Sequence, residues 1–286
     1  MTNRPDDAPA GWIGPGTRAI ITGASWGIGE SFAEALAARG ADLLLVARTE
    51  TRLLTIAADL QARYGVRVEI VTLDLAQPEG PRRLYEAASG LGFEPTLLVN
   101  TAGLGIVGPF AELPIAQARE IVRLNVAALT ELTYRFLQGM LARGDGAIIN
   151  VASASAFQPV PSYGLYAASK AFVVSFSAAL WAECRQRGVR VVAVCPGPVD
   201  AGSPSERQAN GRLERLRRSF PRKVRREEVV AVALDAVERN EPVVIPGALA
   251  ARLALTLLPR RTRLRLTNAA PRRFPRLMTG TRRREP

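Results

Sequence analysis

Short apolar runs recur along this chain, each closed by turn residues and most followed by a stretch with helical periodicity. They fall at Thr17 to Thr22, Asp42 to Ala47, Arg67 to Leu73, Thr96 to Val99, Ala147 to Val151, Val189 to Val194 and Val243 to Pro246. Runs this short and this apolar have no wet face, so they read as strands buried on both sides of a sheet. The intervening segments, through Arg39-Gly40 and over Glu50–Tyr64, Pro81–Ser89, Ile115–Ala142, Ser162–Arg187 and Glu227–Arg239, carry the period of helices. Strand and helix in alternation require crossover connections, and crossovers require parallel strands with helices on both faces. The predicted fold is therefore α/β: a single Rossmann-type doubly wound parallel sheet of about seven strands. A sheet of this kind binds its ligands outside the carboxyl ends of its strands.

The first such end is a glycine turn, Gly23-Ala24-Ser25-Trp26-Gly27-Ile28-Gly29. Strand, glycine turn and helix together form a phosphate-binding corner, where backbone N–H groups approach a pyrophosphate at the positive end of the helix dipole. Gly23, Ser25, Trp26, Gly27, Ile28 and Gly29 are the candidate cofactor contacts there, although the spacing differs from Gly-x-Gly-x-x-Gly. The second strand ends in Ala47-Arg48. An acid at this end would bind the 2′-hydroxyl of NAD, whereas an arginine accepts the 2′-phosphate of NADP, so Arg48 favours NADP(H) over NAD(H). Arg48 would equally suit a solvated helix start. Asp74 and Asn100 close the next two strands, and both residue types also form turns readily. After the sixth strand, Pro196-Gly197-Pro198-Val199 turns the backbone towards the same edge.

Proton chemistry is confined to few residue types. The chain has no histidine, which removes Ser-His-Asp hydrolysis, Cys-His proteolysis and the usual zinc sites. Cys184 and Cys195 read as small buried hydrophobes, with no spacing for a metal clip or a disulfide framework. No metal site is expected. What remains is Tyr166 and Lys170, four residues apart in a helical run and so on one face. An ammonium beside a phenol stabilises the phenolate and lowers a pKa near 10. Only Lys170 and Lys223 are lysines in a chain otherwise supplied with arginine, which cannot release its proton. Tyr163 has Ala167 four residues on, so it is rejected as the acid, and Ser155 stands beside Ser153 as a second serine. Asn125 lies mid-helix, where an amide competes for backbone hydrogen bonds, so it faces solvent or has a task.

Taken together, these residues resemble the short-chain dehydrogenase/reductase family over roughly Thr17 to Pro246. Thr22 to Gly29 matches the family's glycine motif, and Asn100-Thr101-Ala102-Gly103 is similar to its Asn-Asn-Ala-Gly. Asn125, Ser153, Tyr166 and Lys170 fall where its catalytic tetrad lies, and Pro196, Gly197 and Val199 match the segment flanking the nicotinamide. The resemblance implies hydride transfer between nicotinamide and a carbonyl/alcohol pair. Ser153 would bond the substrate carbonyl, Tyr166 would donate its proton, Lys170 would tune the tyrosine and hold the ribose, and Asn125 would hold a relay water. Ala102 and Gly103 join the cofactor contacts. The sequence departs from the family at Thr101, at Trp26 where NADPH users often have a base, and at Ala201 where many members have threonine.

The expected substrate is a small apolar ketone or alcohol: a keto-lipid, a steroid-like ketone or a keto-acyl thioester, walled by Gly105–Phe110 and Phe157–Pro161. The alternatives are an NAD-linked alcohol dehydrogenase and a non-catalytic NADP-binding sensor or scaffold. Residues 1–16 read as a flexible lead-in without a secretory pattern, 17–246 as the catalytic domain with a lid at about 201–226, and 247–286 as a basic, partly apolar extension. The net charge of +12 is concentrated beyond Ala201, as in Arg282-Arg283-Arg284. Such a tail suits peripheral contact with an anionic membrane, and no motif points to nucleic acid. Apolar runs fall short of the ~18 residues of a membrane span, so the chain is expected to be cytoplasmic or membrane-peripheral. The resemblance further implies a homodimer or homotetramer built on the helices at 115–142 and 162–187.

Overall fold

A computed structural model describes residues 12–199 and 224–247. Among them are seven strands in one sheet, all parallel, in the order β3-β2-β1-β4-β5-β6-β7. The strands are β1 (Arg18–Thr22), β2 (Asp42–Ala47), β3 (Val68–Thr72), β4 (Leu97–Asn100), β5 (Gly146–Val151), β6 (Val189–Val194) and β7 (Val243–Val244). The crossover helices are α1 (Gly27–Ala37), α2 (Glu50–Tyr64), α3 (Gly80–Gly90), α4 (Ile115–Val122), α5 (Leu129–Arg143), α6 (Gly164–Cys184) and α7 (Arg226–Glu238). The chain is thus a doubly wound parallel sheet. Its order reverses between β1 and β4, where such folds open a crevice.

Alternation along each strand divides the core in two. Ala19, Ile21, Leu43, Leu45, Val99 and Ile149 face α1, α2 and α7, whereas Ile20, Leu44, Val46, Leu98 and Ile148 face the cluster built on α3 and α5. Register keeps like with like, as in Ile20 opposite Leu44 and Leu98 opposite Ile148. Helix α7 closes the first face, burying Val229, Val230, Ala233, Leu234 and Val237 against α1 and β6.

Three details differ from the sequence reading. The single helix expected over Ile115–Ala142 is α4 and α5 joined through a π-helical turn, Arg123–Ala128, which carries Asn125. The end of the expected lead-in is packed: Ile13 is buried, Trp12 Nε1 donates to Asp145 Oδ1 at 3.0 Å, and the Arg190 guanidinium lies 5.2 Å from the indole centroid. Helix α6 and the turn after it, Gly164–Arg187, contain an 18-residue window of mean hydropathy 1.3, long and apolar enough by composition to cross a membrane. Here α6 packs along β6 and carries the buried Lys170. The expected lid lies outside the described residues except 224–226, where Val224 bridges to Val199. The basic extension expected to meet a membrane lies outside them beyond Gly247.

A polar ladder crosses the second face near the carboxyl edge. Asn100 Nδ2 donates to Asn150 Oδ1 at 2.9 Å, Asn150 Nδ2 to Ser177 Oγ at 2.9 Å, and Ser177 Oγ to the Val173 carbonyl at 2.7 Å. All three polar side chains are buried, and the ladder locks α6 to the two central strands. Removing the middle member leaves Asn100 Nδ2 with a longer bond to Thr133 Oγ1 at 3.4 Å and takes from Ser177 Oγ the donor it accepts, and a buried polar group left unsatisfied costs about 1–3 kcal/mol. Asn150→Ala should lower the urea unfolding free energy by about 2–4 kcal/mol, whereas Leu54→Ala on the exposed face of α2 should stay within about 0.5 kcal/mol.

Candidate active site

The carboxyl ends of β1, β2, β4, β5 and β6 surround one cleft of about 610 Å³. Of the candidate catalytic and cofactor-binding residues, all line this cleft except Asn100 and Asn125. Asn100 sits one layer behind, as the first rung of the ladder.

The glycine turn fits the phosphate end of a dinucleotide for a steric reason. Gly23 has φ +67°, and an added Cβ would lie 2.9 Å from the Ala102 nitrogen. A Cβ on Gly29 would lie 2.3 Å from the Gly23 carbonyl oxygen. The turn from β1 therefore folds tightly against the loop from β4, and the N-terminus of α1 opens onto the cleft without side chains in the way. The threonine that replaces the expected second asparagine takes part: the Thr101 hydroxyl donates to the Thr22 carbonyl, while Thr22 Oγ1 accepts the N–H groups of Thr101 and Ala102, both at 3.2 Å.

Trp26 is braced by Arg52, a residue the sequence reading missed. The Arg52 guanidinium lies 4.5 Å from the indole centroid, donates to the Ser25 carbonyl at 3.3 Å and pairs with Glu30. Its signal was a second arginine four residues after Arg48, on the first turn of α2. Arg48 itself lines the cleft at the end of β2 and makes a long ion pair to Glu120 at 3.8 Å. Asp74 also lines the cleft, yet both carboxylate oxygens are engaged in its own turn, accepting from Ala76 N–H at 3.0 Å and Gln77 Nε2 at 3.1 Å.

At the opposite end lie the proton-handling groups. Ser153 Oγ accepts from both the N–H and the hydroxyl of Ser155, at 3.2 and 3.0 Å. Its own proton is left to point elsewhere. Tyr166 and Lys170 share a face of α6 as their spacing requires, with Lys170 Nζ 5.7 Å from the phenol ring centroid. Lys170 is buried and donates to the Val151 carbonyl at 2.7 Å. Burial pushes its pKa from 10.5 down to about 8, a fall that nearby Cys195 partly offsets.

Asn125 does not face solvent. Its Oδ1 accepts from Leu104 N–H at 2.8 Å, and its Nδ2 donates to the Leu104 carbonyl at 2.9 Å and to Ser169 Oγ at 3.0 Å. Ser169 Oγ in turn donates to the Tyr166 carbonyl at 2.7 Å. The amide thus ties the β4 loop to the turn of α6 that carries Tyr166. Of the expected apolar walls, Gly105 and Val160 line the cleft, but Phe110 is 70% exposed and Phe157 packs into the core beside Val173.

A family model for short chain dehydrogenases matches residues 17–211. Very-long-chain 3-oxoacyl-CoA reductase of Phaeosphaeria nodorum is 39% identical over 187 residues, 64% of this chain and 55% of that protein. The Homo sapiens protein of the same name is 32% identical over 190 residues, covering 64% and 60%. This chain therefore spans little more than half the length of these curated relatives. Among solved structures, a short-chain dehydrogenase from Sphingobium yanoikuyae in complex with NADPH is 32% identical with a TM-score of 0.75, over 88% of this chain and 95% of that one. L-Sorbose reductase from Gluconobacter frateurii, complexed with NADPH and L-sorbose, is 30% identical with a TM-score of 0.72, over 83% and 98%.

The buried ammonium gives the site a pH signature. Below about 8 the folded protein holds a charge it solvates poorly, and the unfolded chain is the better proton acceptor up to 10.5. Stability should therefore rise with pH across that window. Relative to Lys170→Met, the wild type should gain up to about 3 kcal/mol between pH 8 and 10.5 in urea titrations, and a flat difference would contradict the assignment.

Proposed function

The chain belongs to the short-chain dehydrogenase family, and from that premise we propose that it is an NADP(H)-dependent oxidoreductase acting on a carbonyl/alcohol pair. The observation that carries the reading is the convergence of Ser153, Tyr166 and the buried Lys170 at one end of a cleft whose other end is the glycine turn. When bound, NADPH supplies hydride to the carbonyl carbon. The glycine turn and the N-terminus of α1 would hold its pyrophosphate, Arg48 its 2′-phosphate and Lys170 the nicotinamide ribose. The NADPH bound in the solved relatives supports the same preference.

The residues supply the proton chemistry. Ser153, already accepting two hydrogen bonds from Ser155, donates a hydrogen bond to the substrate oxygen and keeps its proton. Tyr166 Oη delivers a proton to that oxygen as negative charge develops on it, and donors placed at that point lower the barrier. Lys170 keeps a cation beneath the phenol, so the tyrosinate left behind is stabilised. Alcohol oxidation uses the same groups in reverse.

The substrate is a lipid-like ketone, with a 3-oxoacyl thioester as the leading candidate. The names of the curated relatives support this class, as do the apolar residues of the cleft, among them Leu104, Val160 and Val199. A second copy of the chain would cover the outer side of α6, where Phe172 is exposed.

Two substitutions test the reading. Tyr166→Phe should reduce kcat by about 10²–10⁴-fold while NADPH binding, followed by calorimetry, stays close to wild type. Turnover that survives the change would overturn the assignment of Tyr166. Arg48→Ala should weaken NADPH binding by about tenfold or more and leave NADH binding unchanged, since a charge-assisted bond to phosphate is worth about 1.5–3 kcal/mol.

A further inference from the structure

Two tyrosines stand three residues apart where α6 begins, and their rings stack. The centroids of Tyr163 and Tyr166 are 4.3 Å apart and the planes 27° from parallel. Beneath them runs the loop leaving β4. A Cβ added to Gly105 would lie 2.4 Å from Tyr163 Oη, 3.2 Å from its Cζ and 3.0 Å from Tyr166 Cδ2. Both rings therefore rest on a bare stretch of backbone that has room for no side chain.

That backbone is fastened on both sides. Asn125 holds Leu104 through its N–H and its carbonyl, at 2.8 and 2.9 Å. Gly108 N–H donates to the Ser162 carbonyl at 2.8 Å. Ser162 adopts φ 62°, a left-handed conformation that a non-glycine residue keeps only where its surroundings impose it. Ser162 directly precedes Tyr163. The strained residue thus links the loop to the point where the tyrosine pair begins, and the Tyr163 ring is caught between Gly105 and Tyr166.

A phenol on the first turn of a helix still has two side-chain torsions to settle, and helix geometry fixes neither. We propose that Tyr163 settles them: it is a positioning residue whose ring, wedged on Gly105, holds Tyr166 at the angle from which it delivers its proton. The aromatic ring is the working part, and the Tyr163 hydroxyl takes no part in proton transfer. The proposal rests on Tyr166 being the acid, and it adds Gly105 and Tyr163 to the residues that set the rate.

The test uses the full chain and two readouts. Turnover of a 3-oxoacyl thioester with saturating NADPH gives kcat and its pH profile. A substrate-free ultraviolet titration of the Tyr166 phenol, taken as the difference from Tyr166→Phe, gives its ionisation directly. Tyr163→Leu should lose about tenfold or more in kcat, with NADPH affinity kept and both the pH profile and the phenol titration displaced, because small misplacements of a reacting group are costly. Tyr163→Phe, which restores the ring, should recover most of that loss. Gly105→Ala should be at least as damaging as Tyr163→Leu, since the new methyl meets both rings, and adding Tyr163→Phe should relieve only the part owed to the Tyr163 hydroxyl.

A Tyr163→Leu protein with wild-type kcat and titration would overturn the proposal. So would a Tyr163→Phe protein as impaired as Tyr163→Leu, which would make the hydroxyl the active group. If Tyr163→Leu fails to fold, Tyr163→Met takes its place: loss of kcat with a displaced phenol titration supports the wedge, and wild-type values of both overturn it. If the wild type reduces no ketone, the functional reading falls by itself, while the phenol titration still decides whether Tyr163 positions Tyr166.

Discussion

A single ammonium buried at the edge of a parallel sheet sets the terms for everything around it. Lys170 donates to the Val151 carbonyl at the end of β5, and that bond fixes the rotation of α6 against the sheet. With that rotation set, Tyr166 one turn earlier faces the cleft, and Ser153 at the end of the same strand faces it from the other side. The lysine is costly to bury, which is also what makes it tunable. A guanidinium there would keep its proton at any pH and would need a wider, planar space.

The glycine turn meets a different demand with the same economy of backbone. It must bring N–H groups close to an anion, so the turn and the β4 loop pack with no Cβ between them, and threonine hydroxyls take over the bonds that a tight turn leaves open. The replacement of asparagine by Thr101 fits this role, because a hydroxyl both donates to the Thr22 carbonyl and stays compact.

Much of this was legible in the sequence because it depends on local spacing. Tyr166 and Lys170 needed only the pitch of a helix, and the strands needed only short apolar runs. What stayed hidden depends on partners distant along the chain. Asn150 sits within an apolar run, Gly-Ala-Ile-Ile-Asn-Val, and nothing local says that it will meet Asn100, fifty residues earlier, and Ser177. Asn125 showed as an oddity in a helix, yet the π turn that points it at Leu104 is invisible in a period of 3.6. Tyr163 was set aside for lacking a lysine, a sound reason against an acid but silent on the stacking of its ring. Phe110 and Phe157 were expected to wall the cleft from their apolar character alone, and one is exposed while the other packs inward.

The position of α7 has a consequence for how the protein is made. Its apolar residues cover the same face of the sheet as α1, although some two hundred residues of chain separate the two helices. During synthesis the other face, closed by α3 and α5, has its parts well before residue 226 is joined, whereas the first face has α1 and α2 but keeps the strip that α7 covers open to solvent until that helix has cleared the ribosome. A nascent chain halted before that point carries the glycine turn, Ser153, Tyr166 and Lys170 on an incompletely covered sheet. Such a chain is a substrate for chaperones rather than for catalysis.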